Sequence, residues 1–211
     1  MSNPILTPFK GTQFSVVTGW GTGSAITGIT NANPAVVSRT AHGLVDGDIV
    51  KHAGIVGMEE LNDRICVVDM LTADTYALRD VDATNYGAYV SGGTVSKATL
   101  SPSCQVTGYQ GPTGTTPSTT VDTNCGSAKT YGTPQHGTVT LAFAEADNAF
   151  DSAFKAAQKN VTQLALKTTL ALGRGVRVDI GTVVSYDSSA SANGNWTGGA
   201  TIERDFARID V

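Results

Sequence analysis

Asn33-Pro34 at one end and Gly92-Gly93-Thr94-Val95 at the other bracket a stretch that reads as a complete small β unit. Between them, alternating segments are separated by polar corners at Ala41-His42-Gly43-Leu44, Asp46-Gly47-Asp48 and Thr72-Ala73-Asp74-Thr75. Clusters of this kind between β-prone runs mark turns. Before the unit lies one convincing strand, over residues 12–18, which cannot bury a face alone. After it come several strands and one helix. The first strand therefore belongs with the later ones, and the unit is an insertion. The expected division is a host domain of residues 1–28 and 99–211 and a guest of residues 29–98. An insertion has to project from whatever surface its host leaves free.

The second half carries the clearest periodicities. Over residues 163–172, Leu164, Leu166, Leu170 and Leu172 share a face with Thr168, while Lys167 and Thr169 take the other. A period of two predicts a half-buried strand. Gly173-Arg174-Gly175 then predicts a turn. Val176, Val178, Ile180, Val184 and Tyr186 alternate again with Thr182 among them, completing a long hairpin. Val139, Leu141 and Phe143 alternate in the same way. A last strand over residues 200–211 changes face between Phe206 and Ile209, which predicts a bulge. One helix interrupts the pattern. Ala146, Phe150, Phe154, Ala157 and Val161 recur at three- and four-residue steps, a single apolar stripe. Glu145, Asp147 and Asp151 at its start and Lys155 and Lys159 near its end match the helix dipole. Asp147 is the expected cap, and Phe150 and Phe154 pack the helix onto a sheet.

Composition agrees with a β fold rich in turns. In 211 residues only 15% are charged, 40% are hydrophobic and 24 are glycine, so one domain or one and a half is expected. The formal charge of −4, with scattered basic residues, argues against a protein that grips nucleic acid through clustered cations. No basic segment followed by an apolar stretch opens the chain, and no apolar run is long enough to span a bilayer. Cys66, Cys104 and Cys125 give an odd count without close pairs, so a disulfide framework is not expected and a reducing cytoplasm fits. Cys104 and Cys125 could approach each other across a loop, but they are read as two half-buried thiols.

No catalytic constellation stands out. His42, His52 and His136 show no metal-ligand spacing with cysteines or carboxylates. Gly19-Trp20-Gly21-Thr22-Gly23 is followed by no helix and sits in no βαβ unit, so it is not a phosphate loop. Asp46-Gly47-Asp48 is too short for a calcium loop. The glycosylation-type triplets at Asn160 and Asn195 are chance matches without a secretory signal. No cofactor, no metal and no enzymatic activity are expected. Residues 108–134 are dense in Gly, Thr, Pro and Ser and cannot bury a core of their own. A loop of that length is a functional segment or a loose surface loop. Residues 188–199 form a second such stretch around Trp196, expected to make a contact.

The order of elements resembles the major tail tube proteins of tailed bacteriophages. The parts are a strand, a long Gly/Thr loop with Val121-Asp122-Thr123-Asn124-Cys125, a strand at 138–143, an acid-led helix, a hairpin and a terminal strand. Cys104-Gln105-Val106-Thr107-Gly108-Tyr109 leading into Gly111-Pro112, followed by Asp122-Thr123 and Gly137, is the stretch most like that family. The insert is similar to a small β module recurrent in phage virion proteins, through its turn sequences, Leu61-Asn62 and Tyr86-Gly87-Ala88-Tyr89.

The resemblance implies two packed β-sheets flanked by the helix, hexameric rings stacked into a non-contractile, siphovirus-like tube, and assembly in the host bacterial cytoplasm. Partners would be the chain itself, a tape measure protein and tail-end proteins. Genomic DNA would pass without sequence-specific binding, and no membrane insertion is expected. Ring stacking would fall to the N-terminal arm with Pro4 and Pro8, and to Gly111, Pro112, Thr113, Gly114, Pro117 and Asp122. The lumen would be neutral to acidic, with Asp179, Glu203 and Asp205 as candidates, although Asp179 could equally pair with Arg177. The guest would stand on the outer wall, so that excising residues 31–96 leaves assembly intact. The competing reading is a virion adhesin or carbohydrate-binding β protein with Trp196 and the tyrosines at a sugar site.

Overall fold

The computed structural model describes residues 8–112, 114–133, 135–146, 148–190, 192 and 194–211, with Asp122 and Thr123 described by backbone alone. The protein is mainly β. The host contributes β1 (Gln13–Trp20), β9 (Val106–Gln110), β12 (Thr138–Ala144), helix α1 (Ala149–Asn160), β13 (Gln163–Thr169), β14 (Val176–Ser189), β15 (Thr197–Arg204) and β16 (Ile209–Asp210). The guest contributes β2 (Ser24–Ala25) and β3 (Gly28–Ile29), which begin ahead of the expected boundary at residue 29, and β4 (Val36–Ser38), β5 (Ile49–Val56), β6 (Ile65–Met70) and β7 (Thr75–Arg79). Strand β8 (Ser91–Ser103) serves both: its first half pairs with β5 and its second half with β1. A separate hairpin, β10 (Ser118–Thr123) and β11 (Gly126–Tyr131), stands apart.

The host ladder runs β8-β1-β13-β14-β15-β12-β9. Its two ends, β8 and β9, are consecutive in the chain and separated only by Cys104 and Gln105. A sheet whose ends are tied so closely must roll up. Phe14 of β1 and Tyr109 of β9, far apart along the ladder, accordingly bring their rings to 5.4 Å. The opposing walls of the roll form the two packed β layers. Phe14 and Val16 from one wall and Val139, Leu141, Phe143 and Ile202 from the other share one core. Phe150 and Phe154 of α1 are buried in that core, Phe150 edge-on to Phe143 and Phe154 stacked on it. Gly198 lies over the same ring, where an added Cβ would come within 2.5 Å of it.

The guest has its own core, with Ile26, Val37, Val50, Leu61, Tyr76 and Leu78 among its buried members. A third core lies between guest and host. Ile49, Ile65 and Val67 of the guest meet Val17, Ala165, Val178, Ile180 and Ile209 of the host. Polar ties cross the same seam: Lys167 Nζ donates to the Gly47 carbonyl at 2.9 Å, and Arg79 donates to the Asp210 carbonyl at 3.3 Å. The Arg64 guanidinium sits 4.6 Å above the Phe206 ring. This seam explains why β13 is not half-buried as its alternation predicts. Leu164 and Leu166 face the host core while Ala165 faces the guest.

Several sequence expectations are corrected. The β13 strand ends at Thr169, and Leu172 turns outward, 76% exposed at φ 61°, because the chain must reverse there. Val161 leaves the helical stripe. It terminates α1 in the left-handed conformation at φ 52° and is 76% exposed. The helix is capped by Asn148, whose side chain accepts from Asp151 N at 3.0 Å; Asp147 lies outside the described residues. The expected bulged last strand is two strands, β15 and β16, both on the same edge of β14 and separated by residues 205–208. Cys66 is buried, whereas Cys104 and Cys125 are exposed rather than half-buried, and all three are free. No helix among the described residues is long and apolar enough to cross a membrane.

Candidate functional site

Strands β9, β12, β15 and the far half of β14 make a four-stranded wall with two different faces. The inward face holds Val139, Leu141, Phe143, Val183, Ala200 and Ile202 in the core. The register sets the opposite face. Thr140 pairs with Gln110 and Thr201, Ala142 with Gly108 and Gly199, and Thr138 with Glu203. On β14, Ser185 pairs with Thr201 and Asp187 with Gly199. Every side chain on this outward face is small, neutral or acidic; its two charges are the carboxylates of Glu203 and Asp187. The signal was visible in the sequence as the other half of the alternation, Thr138-Thr140-Ala142, but only charged residues were singled out there.

Neither edge of this wall pairs with a further strand among the described residues, and α1 packs beside β14. Among the described residues β9 pairs only with β12. On the other side β13 stops opposite Thr182, so β14 beyond that residue pairs with β15 alone. Unpaired N–H and C=O groups along two such edges are a template for pairing with another chain.

The segment read as a long loop is a β arm. Ser118–Thr123 and Gly126–Tyr131 pair residue for residue, and the ribbon continues toward its base through Gly132 N to Pro117 O and Gln135 N to Thr115 O. Gly111, Pro112, Gly114 and Pro117 lie at its root and lower stem; Thr113, Pro134 and the Asp122 side chain are outside the described residues, as is Pro4. Every described side chain of the two strands is exposed, with Val121 at 49% and Tyr131 at 69%. An isolated two-stranded hairpin is marginally stable in water. Its described side chains are all exposed.

The three acidic residues expected on a common surface separate. Glu203 lies on the polar face, and Asp205 is exposed beyond its end, accepting from Gln163 Nε2 at 2.6 Å. Asp179 is fully buried and faces no solvent. It accepts from Tyr109 Oη at 3.2 Å and pairs with Arg204 at 3.5 Å and Arg208 at 3.3 Å, while Arg177 pairs with Asp210 instead. Arg204 also donates to the His136 carbonyl and Arg208 to the Tyr109 hydroxyl, so the cluster ties the root of the arm to the wall. Burial, with the Asp179 carboxylate beside it, pushes the Tyr109 phenol up to about 12. The cluster is structural.

At the other end of the wall, Trp196 is 59% exposed beside a groove of about 440 Å³ lined by Glu145, Lys155 and Ser188. Glu145 accepts from Lys155 at 2.6 Å, Ser188 at 2.5 Å and Tyr186 at 3.1 Å, and these donors hold its carboxyl below the usual range. No cluster of three or more metal-ligating side chains occurs among the described residues. Residues 32–98 match the family described as the ubiquitin-activating enzyme E1 FCCH domain. The match falls on the guest and leaves the host, with its polar wall and arm, unmatched. No curated protein matches the chain.

Proposed function

We propose that this chain is a structural virion protein, the major tail tube subunit of a siphovirus-like bacteriophage. Six copies form a ring, rings stack into a tube, and DNA is ejected through it. The observation that supports this reading most is the outward face of the four-stranded wall. It is free of lysine and arginine and bounded by two edges that no further strand pairs among the described residues. Six such walls joined edge to edge give a closed β lining, which removes the exposed edges a free sheet must otherwise protect. A lining without cations lets DNA slide, since each lysine–phosphate contact would add a counterion-exchange step. The arm supplies the contact between rings, ordering against a neighbour what its own chain leaves bare.

In this reading the protein has no catalytic role, and its partners are itself, a tape measure protein, tail-end proteins and passing DNA. The guest stands on the outer wall, where it would obstruct a contractile sheath. Electron microscopy of the purified protein tests the proposal: hollow tubes with a regular ring repeat are expected, and a persistent monomer at high concentration overturns it. The exposed Trp196 and its polar groove favour a second reading, a carbohydrate-binding virion adhesin. Glycan binding by a protein that forms no tubes, lost in Trp196→Ala, would establish that reading instead.

A further inference from the structure

The guest holds an aromatic sandwich in the middle of its core. Tyr76 is fully buried, with the His52 ring stacked on it at 6.2 Å and the His42 ring edge-on at 5.2 Å. The two imidazoles are 0% and 5% exposed. His42 has both nitrogens committed. Nδ1 accepts from Leu44 N at 3.0 Å, and Nε2 lies 2.8 Å from the Thr72 carbonyl, which only the neutral Nε2–H tautomer satisfies. A second proton on Nδ1 would point at another donor. His52 Nε2 lies 3.0 Å from the Tyr76 hydroxyl, and its buried Nδ1 has no partner. A proton there would have no acceptor among the described residues.

Among the described residues no carboxylate compensates. Around His52, Lys51 on the same strand is paired with Asp63, whose backbone N–H bonds the His52 carbonyl. Asn62 faces it from the turn and Val95 from β8. Near Tyr76 the charged and titratable groups are Arg39 and the Cys66 thiol, with Arg64 beside Cys66. Asp74 and Asp48, the acids on the neighbouring turns, accept from the Ala41 and Val45 amides. The third histidine, His136, is exposed at the root of the arm, and the host core contains none.

We infer that the guest is an acid-responsive element: the neutral His52 imidazole braces Tyr76 at its centre, and protonating it loosens the guest ahead of the host roll. The direction follows from His52, which burial lowers from 6.5 to about 4. The neutral ring's contribution is complete above about pH 6.5 and is lost as pH falls toward 4, because the opened form takes up the proton first.

Hydrogen exchange on the full chain, corrected for intrinsic rates, separates guest from host. Between pH 7.5 and 5, protection in β5 and β7 should fall about 30-fold, from His52 alone, while β12 and β15, away from the shared core, fall much less. His52→Gln, neutral at every pH, should flatten that fall. Equal loss in host and guest, or an unchanged pH dependence in H52Q, overturns the inference. Should H52Q not fold, an NMR titration of His52 in the native protein decides: a value near 4 supports the switch, and one of 6 or above overturns it.

Discussion

Asp179 lies between Arg204 and Arg208 with no solvent around it, one carboxylate facing two guanidiniums. Replacing it with alanine leaves two cations uncompensated in and around the core, a loss on the order of 3–5 kcal/mol. Asp179→Ala is therefore expected to unfold at markedly lower urea concentration and to free the root of the arm, which urea titration and proteolysis would register. Its alternation in the sequence placed Asp179 on a polar face, and nothing nearby in the chain marks Arg204 and Arg208 as its partners. Long-range pairing of this kind carries no local signal. Val161 shows the opposite case. A β-branched residue in the left-handed region at a helix end is strained, and glycine is the usual occupant. Val161→Gly should raise stability by about 1 kcal/mol in the same titration, since the side chain it removes is already exposed.

The arm and the final strands show which elements were legible. Alternation placed β12, β13 and β14 because each has a core face, and the Phe150–Phe154 stripe placed α1 for the same reason. The arm has no core face, so its Gly/Thr/Pro composition reads as loop although its backbone pairs throughout. The β15–β16 break is likewise hidden, because the interruption serves Arg208, which turns in toward Asp179. Deleting residues 116–133 and rejoining the stem should leave melting of the host unchanged. Size-exclusion chromatography and microscopy should then show a folded subunit that makes no tubes. Normal tubes from that deletion would remove the arm from the assembly.

At the scale of the molecule, guest and host are less separable than the sequence suggests. Excising residues 31–96 strips Ile49, Ile65 and Val67 from the shared core and bares Val17, Val178 and Ile180. Uncovering three to five such side chains forfeits roughly 1.5–3 kcal/mol each, comparable to the whole stability of a domain. The expectation that tubes survive this excision is therefore reversed: the bare truncation should aggregate, as light scattering would show. The lining gives a milder prediction. On the proposed tail tube reading, Thr140→Lys with Thr201→Lys should leave the fold intact and slow DNA ejection, with the defect shrinking between about 50 and 200 mM salt as cation–phosphate contacts weaken. Finally, β8 runs unbroken from guest to host, hydrogen-bonded to β5 along one half and to β1 along the other. An outward tug on the guest along that strand would load many backbone bonds at once, in shear, instead of peeling them singly. Whatever the guest touches, the joint can carry a mechanical load into the wall without a hinge to absorb it.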